Sequence, residues 1–172
     1  MYQDYKDLLS AFRSHGVKYL VVGGFAVIYH SQPRFTKDMD LFIKADPENA
    51  KAAYAALAEF GAPLQGITWQ DFTDRNSFFR FGREPSGFDI LPAIPGVDFD
   101  AAWERRVEAV VDTATGLNAN VISADDLIAS KLASGRARDL ADVEDIRKAA
   151  ESRQPRPAKK MPPEPTQIGP GR

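Results

Sequence analysis

Two aspartates, Asp38 and Asp40, stand one residue apart just ahead of the apolar run Leu41-Phe42-Ile43. Side chains two apart on a strand share a face, so both carboxylates point the same way, about 7 Å apart along the backbone. Met39, Leu41 and Ile43 then face a core. Carboxylates this close repel each other and require a cation between them. A hard divalent ion such as Mg²⁺ fits, because it takes one or two carboxylates and completes its shell with water and phosphate oxygens. Upstream, Gly23-Gly24 ends the strand-like run Lys18–Val22. A glycine pair lets a helix N-terminus come close to phosphate, where free N–H groups and the helix dipole favour anions. Anion cradle and metal seat are therefore expected on adjacent strands. Either feature alone reads as a glycine turn or as two solvated acids; together and in this order they favour the functional reading.

Gly23-Gly24, thirteen further residues, then Asp38-x-Asp40 followed by Leu-Phe-Ile resembles the signature of the DNA polymerase β-type nucleotidyltransferase superfamily. Arg34-Phe35-Thr36-Lys37-Asp38-Met39-Asp40 is similar to the R-x-T-x-D-x-D form of bacterial minimal and abortive-infection-toxin nucleotidyltransferases. Over residues 3–150 the resemblance implies transfer of an NMP from an NTP to an acceptor hydroxyl, with two Mg²⁺ ions, or Mn²⁺ in their place. It implies that Asp38, Asp40 and Asp89 are the catalytic metal ligands, with Asp89 helping to deprotonate the acceptor. It puts Gly23, Gly24, Arg34 and Thr36 at the nucleotide. Asp-Leu-Ile-x-x-Lys131 with Arg136-x-Arg138-Asp139-Leu-x-Asp142 resembles the second block of the toxin-like members. There Lys131 would meet the phosphates, and Arg138, Asp139 and Asp142 would support the site. The second glycine departs from the pattern, since many members have serine there.

Elements that could position these residues follow from periodicity and punctuation. Tyr5, Leu8, Leu9 and Phe12 recur at helical spacing up to Gly16. Phe25–His30 gives about two turns of helix before Pro33 forbids continuation. Asp46-Pro47-Glu48 opens a helix that Gly61 ends, by Asp capping and proline at the first helical position. Residues 62–76 lack a pattern, with Trp69 and Phe72 read as core. Ser77–Arg83 and Gly87–Leu91 read as strands joined by the turn Glu84-Pro85-Ser86. Asp98 caps a helix expected over Phe99–Glu108, with Phe99, Trp103 and Val107 as its core stripe. Val110–Asp112 and Ala119–Ile122 flank a turn as a hairpin. Ser123-Ala124-Asp125-Asp126 approximates a capping box for a helix closed by Gly135, and Asp139–Ala150 forms the next. An unbroken helix would line up Lys131, Arg138 and Asp142 on one face.

The expected fold is α/β (α+β): a small mixed sheet flanked by helices over residues 1–151, with residues 123–151 as a C-terminal helical unit. Six of the 12 prolines lie beyond Arg153 among basic and glycine residues, so residues 152–172 read as a disordered Pro/Lys-rich tail. With 172 residues, 44% hydrophobic and 27% charged, this is an ordinary globular composition. The absence of cysteine excludes disulfides and thiolate metal sites, and His15 and His30 make no zinc site. No signal peptide or long apolar run is visible, which points to the cytoplasm and away from membranes. A net charge of −2 gives no global pull toward nucleic acid. The acceptor stays open between tRNA, a protein and a small molecule such as an aminoglycoside, as does a protein partner of toxin–antitoxin type. The alternative is a non-catalytic module that binds nucleotide or a partner on the same fold. A Rossmann binder fits poorly, because no G-x-G-x-x-G follows the first strand.

Overall fold

Residues 1–153 are described by a computed structural model of the chain, and the Pro/Lys-rich stretch beyond them lies outside the described residues. Helix α1 (Gln3–Ser14) buries Tyr5, Leu8, Leu9 and Phe12, the residues whose spacing predicted it. Strand β1 (Tyr19–Val22) is buried along its whole length. Helix α2 (Gly23–His30) begins on the glycine pair itself, two residues earlier than its apolar run implied. Strand β2 (Met39–Ile43) buries Met39, Leu41 and Ile43 completely. Helix α3 (Pro47–Phe60) starts where the Asp46 carboxylate accepts the Asn49 N–H at 2.7 Å, and it ends at Gly61 in the left-handed conformation.

Two hairpins complete the sheet. Strands β3 (Phe79–Phe81) and β4 (Phe88–Leu91) pair antiparallel, as do β5 (Val107–Asp112) and β6 (Leu117–Val121). The sheet has six strands in the order β3-β4-β2-β1-β6-β5. It is mixed: β1 runs antiparallel to β2 and parallel to β6, while β2 runs parallel to β4. Helix α4 (Phe99–Glu104) leads into β5. Helices α5 (Ala124–Ser134) and α6 (Ala137–Arg153) form the C-terminal unit, which packs on α2. The expected mixed sheet with flanking helices is thus what the chain forms.

Some expectations are corrected by tertiary contacts. The helix expected to run to Glu108 stops at Glu104. Arg105 turns to the Asp126 carboxylate at 2.7 and 3.0 Å, and the Arg106 guanidinium lies 3.9 Å over the Trp103 ring. The next residues, Val107-Glu108-Ala109-Val110-Val111, alternate and carry β-branched side chains, so they pair with β6 and lengthen that hairpin. Val107 is accordingly a strand residue. The unpatterned stretch holds a short 3-10 turn, Trp69–Thr73, boxed by Thr68 and Asp71; Phe72 is fully buried, and Trp69 lies half-buried beneath Lys51. Ser152 and Arg153, assigned to the tail, close α6. Among the described residues no helix is long and apolar enough to cross a membrane.

Candidate active site

Strand register makes a row across the sheet. Val22, the last residue of β1, lies opposite Asp40; Asp40 lies beside Asp89 on parallel β4; Asp89 lies opposite Arg80 on β3. Asp38 sits in a bend one residue before β2, and its Oδ1 lies 2.7 Å from where a Cβ on Gly87 would stand. The three predicted acids therefore meet at one end of β2 and β4. The start of α2 closes against them. Gly23 has φ +62°, and a Cβ there would overlap the Asp40 carboxylate. A side chain at Gly24 would overlap the Thr36 hydroxyl and approach the Arg34 guanidinium. Both glycines are therefore required by shape, and Thr36 fills the place that a serine at position 24 would claim.

Packing like charges has a measurable consequence. The Asp40 carboxyl is pushed up to about 6, chiefly by burial and then by the charges of Asp89 and Asp38, against the opposing charges of Lys131 and Arg80. Asp89 is buried, and both its oxygens are engaged by Arg80, Nε to Oδ1 at 2.9 Å and Nη2 to Oδ2 at 3.0 Å. As the side chains stand, no group of three or more His, Cys, Asp or Glu among the described residues is gathered to hold a metal ion. Register thus sets Asp40 beside Asp89, with Asp38 one residue before β2, while Arg80 holds both oxygens of Asp89. The donor chemistry does fit a metal ion. Three hard carboxylates with raised mutual repulsion are what a divalent oxygen-binding ion would relieve.

A second cluster adjoins the first. Helix α5 ends at Gly135 (φ 68°) and α6 restarts at Ala137, so no continuous face carries Lys131, Arg138 and Asp142. The fold-back brings Lys131 Nζ to Asp139 Oδ1 at 3.0 Å and to Asp142 Oδ2 at 2.9 Å. Asp142 also receives Arg34 at 2.9 Å, and Asp139 receives Arg136 at 2.8 Å. Burial pushes the Asp139 carboxyl up, but hydrogen bonds from Arg136 and Lys131 outweigh it and hold the group at about 2. Arg138 is exposed and outside this network; Arg136, two residues earlier, takes the pairing expected of it. The reason is helical: position 136 precedes α6 by one residue and lies one turn before Asp139. Sequence reasoning placed Arg34 and Lys131 near a nucleotide separately, and Asp142 joins them.

Val22, Gly23, Asp40, Leu91, Lys131 and Arg136 contribute to a cleft of about 250 Å³ between the sheet and the C-terminal unit. Asp40 is the member of the acid row that reaches it, and Lys131 and Arg136, both paired with Asp139, line its other side. Another contribution escaped sequence reading. Tyr5, read only as core, sends its hydroxyl to the carbonyl of Gly87 at 2.8 Å, pinning the start of β4 beside Asp38. Burial and then the Asp38 charge push that phenol up to about 12. Arg80 was read only as part of a strand.

Comparison with known proteins places this geometry. The chain matches, over residues 3–150, the family model described as "Nucleotidyltransferase of unknown function (DUF6036)". No curated protein matches it. Among solved structures, the lincosamide antibiotic adenylyltransferase LnuA, crystallised with lincomycin bound, is similar with a TM-score of 0.55 at 16% identity, covering 87% of this chain and 98% of that one. The solution structure of the antibiotic-resistance factor ANT(2'')-Ia is similar with a TM-score of 0.53, also at 16% identity, covering 87% of this chain and 82% of that one. At such identity these likenesses show a common fold. The family match extends over nearly all of the described residues and includes the acid row, the glycine pair and the Lys131 cluster: the chain belongs to the nucleotidyltransferase family DUF6036.

Proposed function

We propose that this chain moves a nucleoside monophosphate from an NTP to an acceptor hydroxyl, with Asp38, Asp40 and Asp89 at the transfer site. One observation carries the reading: β1, β2 and β4 pair so that Asp40 and Asp89 stand side by side, with the glycine start of α2 packed against Asp40. Mg²⁺, or Mn²⁺ in its place, held by Asp38, Asp40 and Asp89 would supply charge neutralisation for the triphosphate and the departing pyrophosphate.

The chain's own residues do the rest. The first N–H groups of α2 lack intrahelical partners and are available to phosphate oxygens. The Thr36 hydroxyl, set against Gly24, supplies the donor that the resemblance assigns to a serine. Lys131 and Arg136 bring positive charge to the cleft, with Arg34 paired to Asp142 behind them, and Asp139 and Asp142 hold those cations in place. Arg138 is left out of this set because it is exposed. Asp89 takes the proton of the acceptor hydroxyl as its oxygen bonds the α-phosphorus and the bond from that phosphorus to the pyrophosphate oxygen breaks.

LnuA is an adenylyltransferase with lincomycin bound, and ANT(2'')-Ia is an antibiotic-resistance factor. These likenesses favour a small hydroxylated acceptor over tRNA or a protein, and they give no support to a toxin–antitoxin role. The second reading, a nucleotide-binding module without turnover, is favoured by one feature: Arg80 occupies both oxygens of Asp89.

Calorimetric titration of each NTP, with and without Mg²⁺, into wild type and Asp40→Asn tests the site without knowledge of the acceptor. Mg²⁺-dependent binding of an NTP by wild type, lost in the variant, supports the assignment and names the base. Turnover on a panel of hydroxylated small molecules then separates enzyme from module. No NTP binding by wild type overturns the reading.

A further inference from the structure

Arg80 stands directly opposite Asp89 on β3, the edge strand of the sheet, and grips both carboxylate oxygens through two parallel hydrogen bonds. The two partners are unequally placed. The Asp89 side chain is 9% exposed, whereas the Arg80 side chain is 64% exposed at the open edge. The carboxylate is fixed by its strand, and the guanidinium is free to leave into water. A divalent cation needs oxygen lone pairs of Asp89 that now accept from Arg80. A cation on those oxygens and a guanidinium on the same oxygens also repel. Arg80 and a metal ion at Asp89 therefore compete for the same two oxygens.

We propose that Arg80 is a removable counter-ion for Asp89: it satisfies the buried carboxylate when no divalent cation is bound, and it swings out along the sheet edge when one binds. Arg80 is a positioning residue in this scheme, acting on the site through Asp89. The inference rests on the metal-binding role proposed above for Asp89, and it adds that cation affinity is set by competition with a side chain of the protein itself. A ligand that binds only the open form has its apparent dissociation constant raised in proportion to the rarity of that form. Removing Arg80 therefore tightens binding.

The test is calorimetric titration of Mn²⁺ alone into wild type, Arg80→Ala, Arg80→Gln and Asp89→Asn, each checked for folding by circular dichroism. The glutamine variant keeps a hydrogen-bond donor without the charge, so it guards against loss of fold in the alanine variant. The expected result is about ten-fold tighter Mn²⁺ binding in Arg80→Ala and Arg80→Gln than in wild type, with Asp89→Asn weakened. A second readout follows: in EDTA the Arg80 variants melt lower than wild type, and Mn²⁺ raises their midpoints by more than it raises that of wild type. Binding by the variants without binding by wild type also supports the proposal, as full closure by Arg80. Wild type and variants binding alike, or the variants binding more weakly, overturns the proposal while leaving the metal site standing. No binding by any of them removes the metal site, and this proposal with it.

Discussion

Replacing Asp40 by asparagine separates what this residue does for stability from what it does for ligand binding. In the folded chain its carboxyl is raised from 3.8 to about 6 by burial and by Asp89 and Asp38. A raised carboxyl pKa means that the folded state binds the proton more tightly than the unfolded state. The contribution of Asp40 to stability is thus greatest below pH ~4 and is lost as pH rises through about 6. At neutral pH the ionised group costs the fold about 3 kcal/mol, from a shift of roughly two units at 1.36 kcal/mol each. Asparagine removes the charge and keeps the volume. Some of the gain is lost because its amide must find new partners, so a net stabilisation of about 1–3 kcal/mol is expected. For a domain of this size, that raises the thermal midpoint by roughly 2–12 °C. The assay is thermal unfolding in EDTA at pH 7.5 and again at pH 4.5, followed by the same melts with Mg²⁺. The variant should melt higher at pH 7.5, and its advantage should shrink at pH 4.5, where wild type is mostly protonated. Mg²⁺ should raise the wild-type midpoint and leave the variant unmoved. A lower midpoint for the variant at pH 7.5 would refute the argument that carboxylate crowding strains this site. So would an advantage that persists undiminished at pH 4.5.

Asp142 holds Lys131 and Arg34 together, so Asp142→Ala should cost about 3–5 kcal/mol in urea unfolding, as expected for one partner removed from a buried ionic cluster. Lys131→Ala leaves Asp142 with Arg34 and Asp139 with Arg136, and should cost less than half as much. Gly24→Ser puts a side chain into the Thr36 hydroxyl and should lower both stability and NTP affinity; adding Thr36→Ala should restore a large part of each, measured by melting and calorimetry. Tyr5→Phe removes the hydroxyl that pins Gly87, and should cost about 1 kcal/mol by chemical denaturation while weakening Mg²⁺-dependent NTP binding.

The sequence by itself determined the local pieces. Alternation around Asp40 made β2, the Asp46-Pro47 signal opened α3, and Gly61 and Gly135 closed their helices in the left-handed conformation. Each of these is decided by a few neighbouring residues. The glycine pair and the two aspartates were legible for the same reason, since their spacing is short and their shapes and charges admit few uses. Which partners those acids meet was decided only in three dimensions. A hairpin turn centred on Pro85 sets Phe81 against Asp89, but the register that forms sets Arg80 there, and a slip of one residue exchanges an aromatic ring for a counter-ion. The end of α4 was likewise decided at a distance, by Asp126 drawing Arg105 and by β6 pairing with Val107. Arg136 displaced Arg138 because the chain folds back at Gly135, so that Lys131, Asp139, Asp142 and Arg34 meet across a turn rather than along a helix. Local propensity chose the elements. Long-range charge pairing and strand register chose the site's inner partners, because burial leaves an ionised group only the counter-ion that the whole fold brings to it.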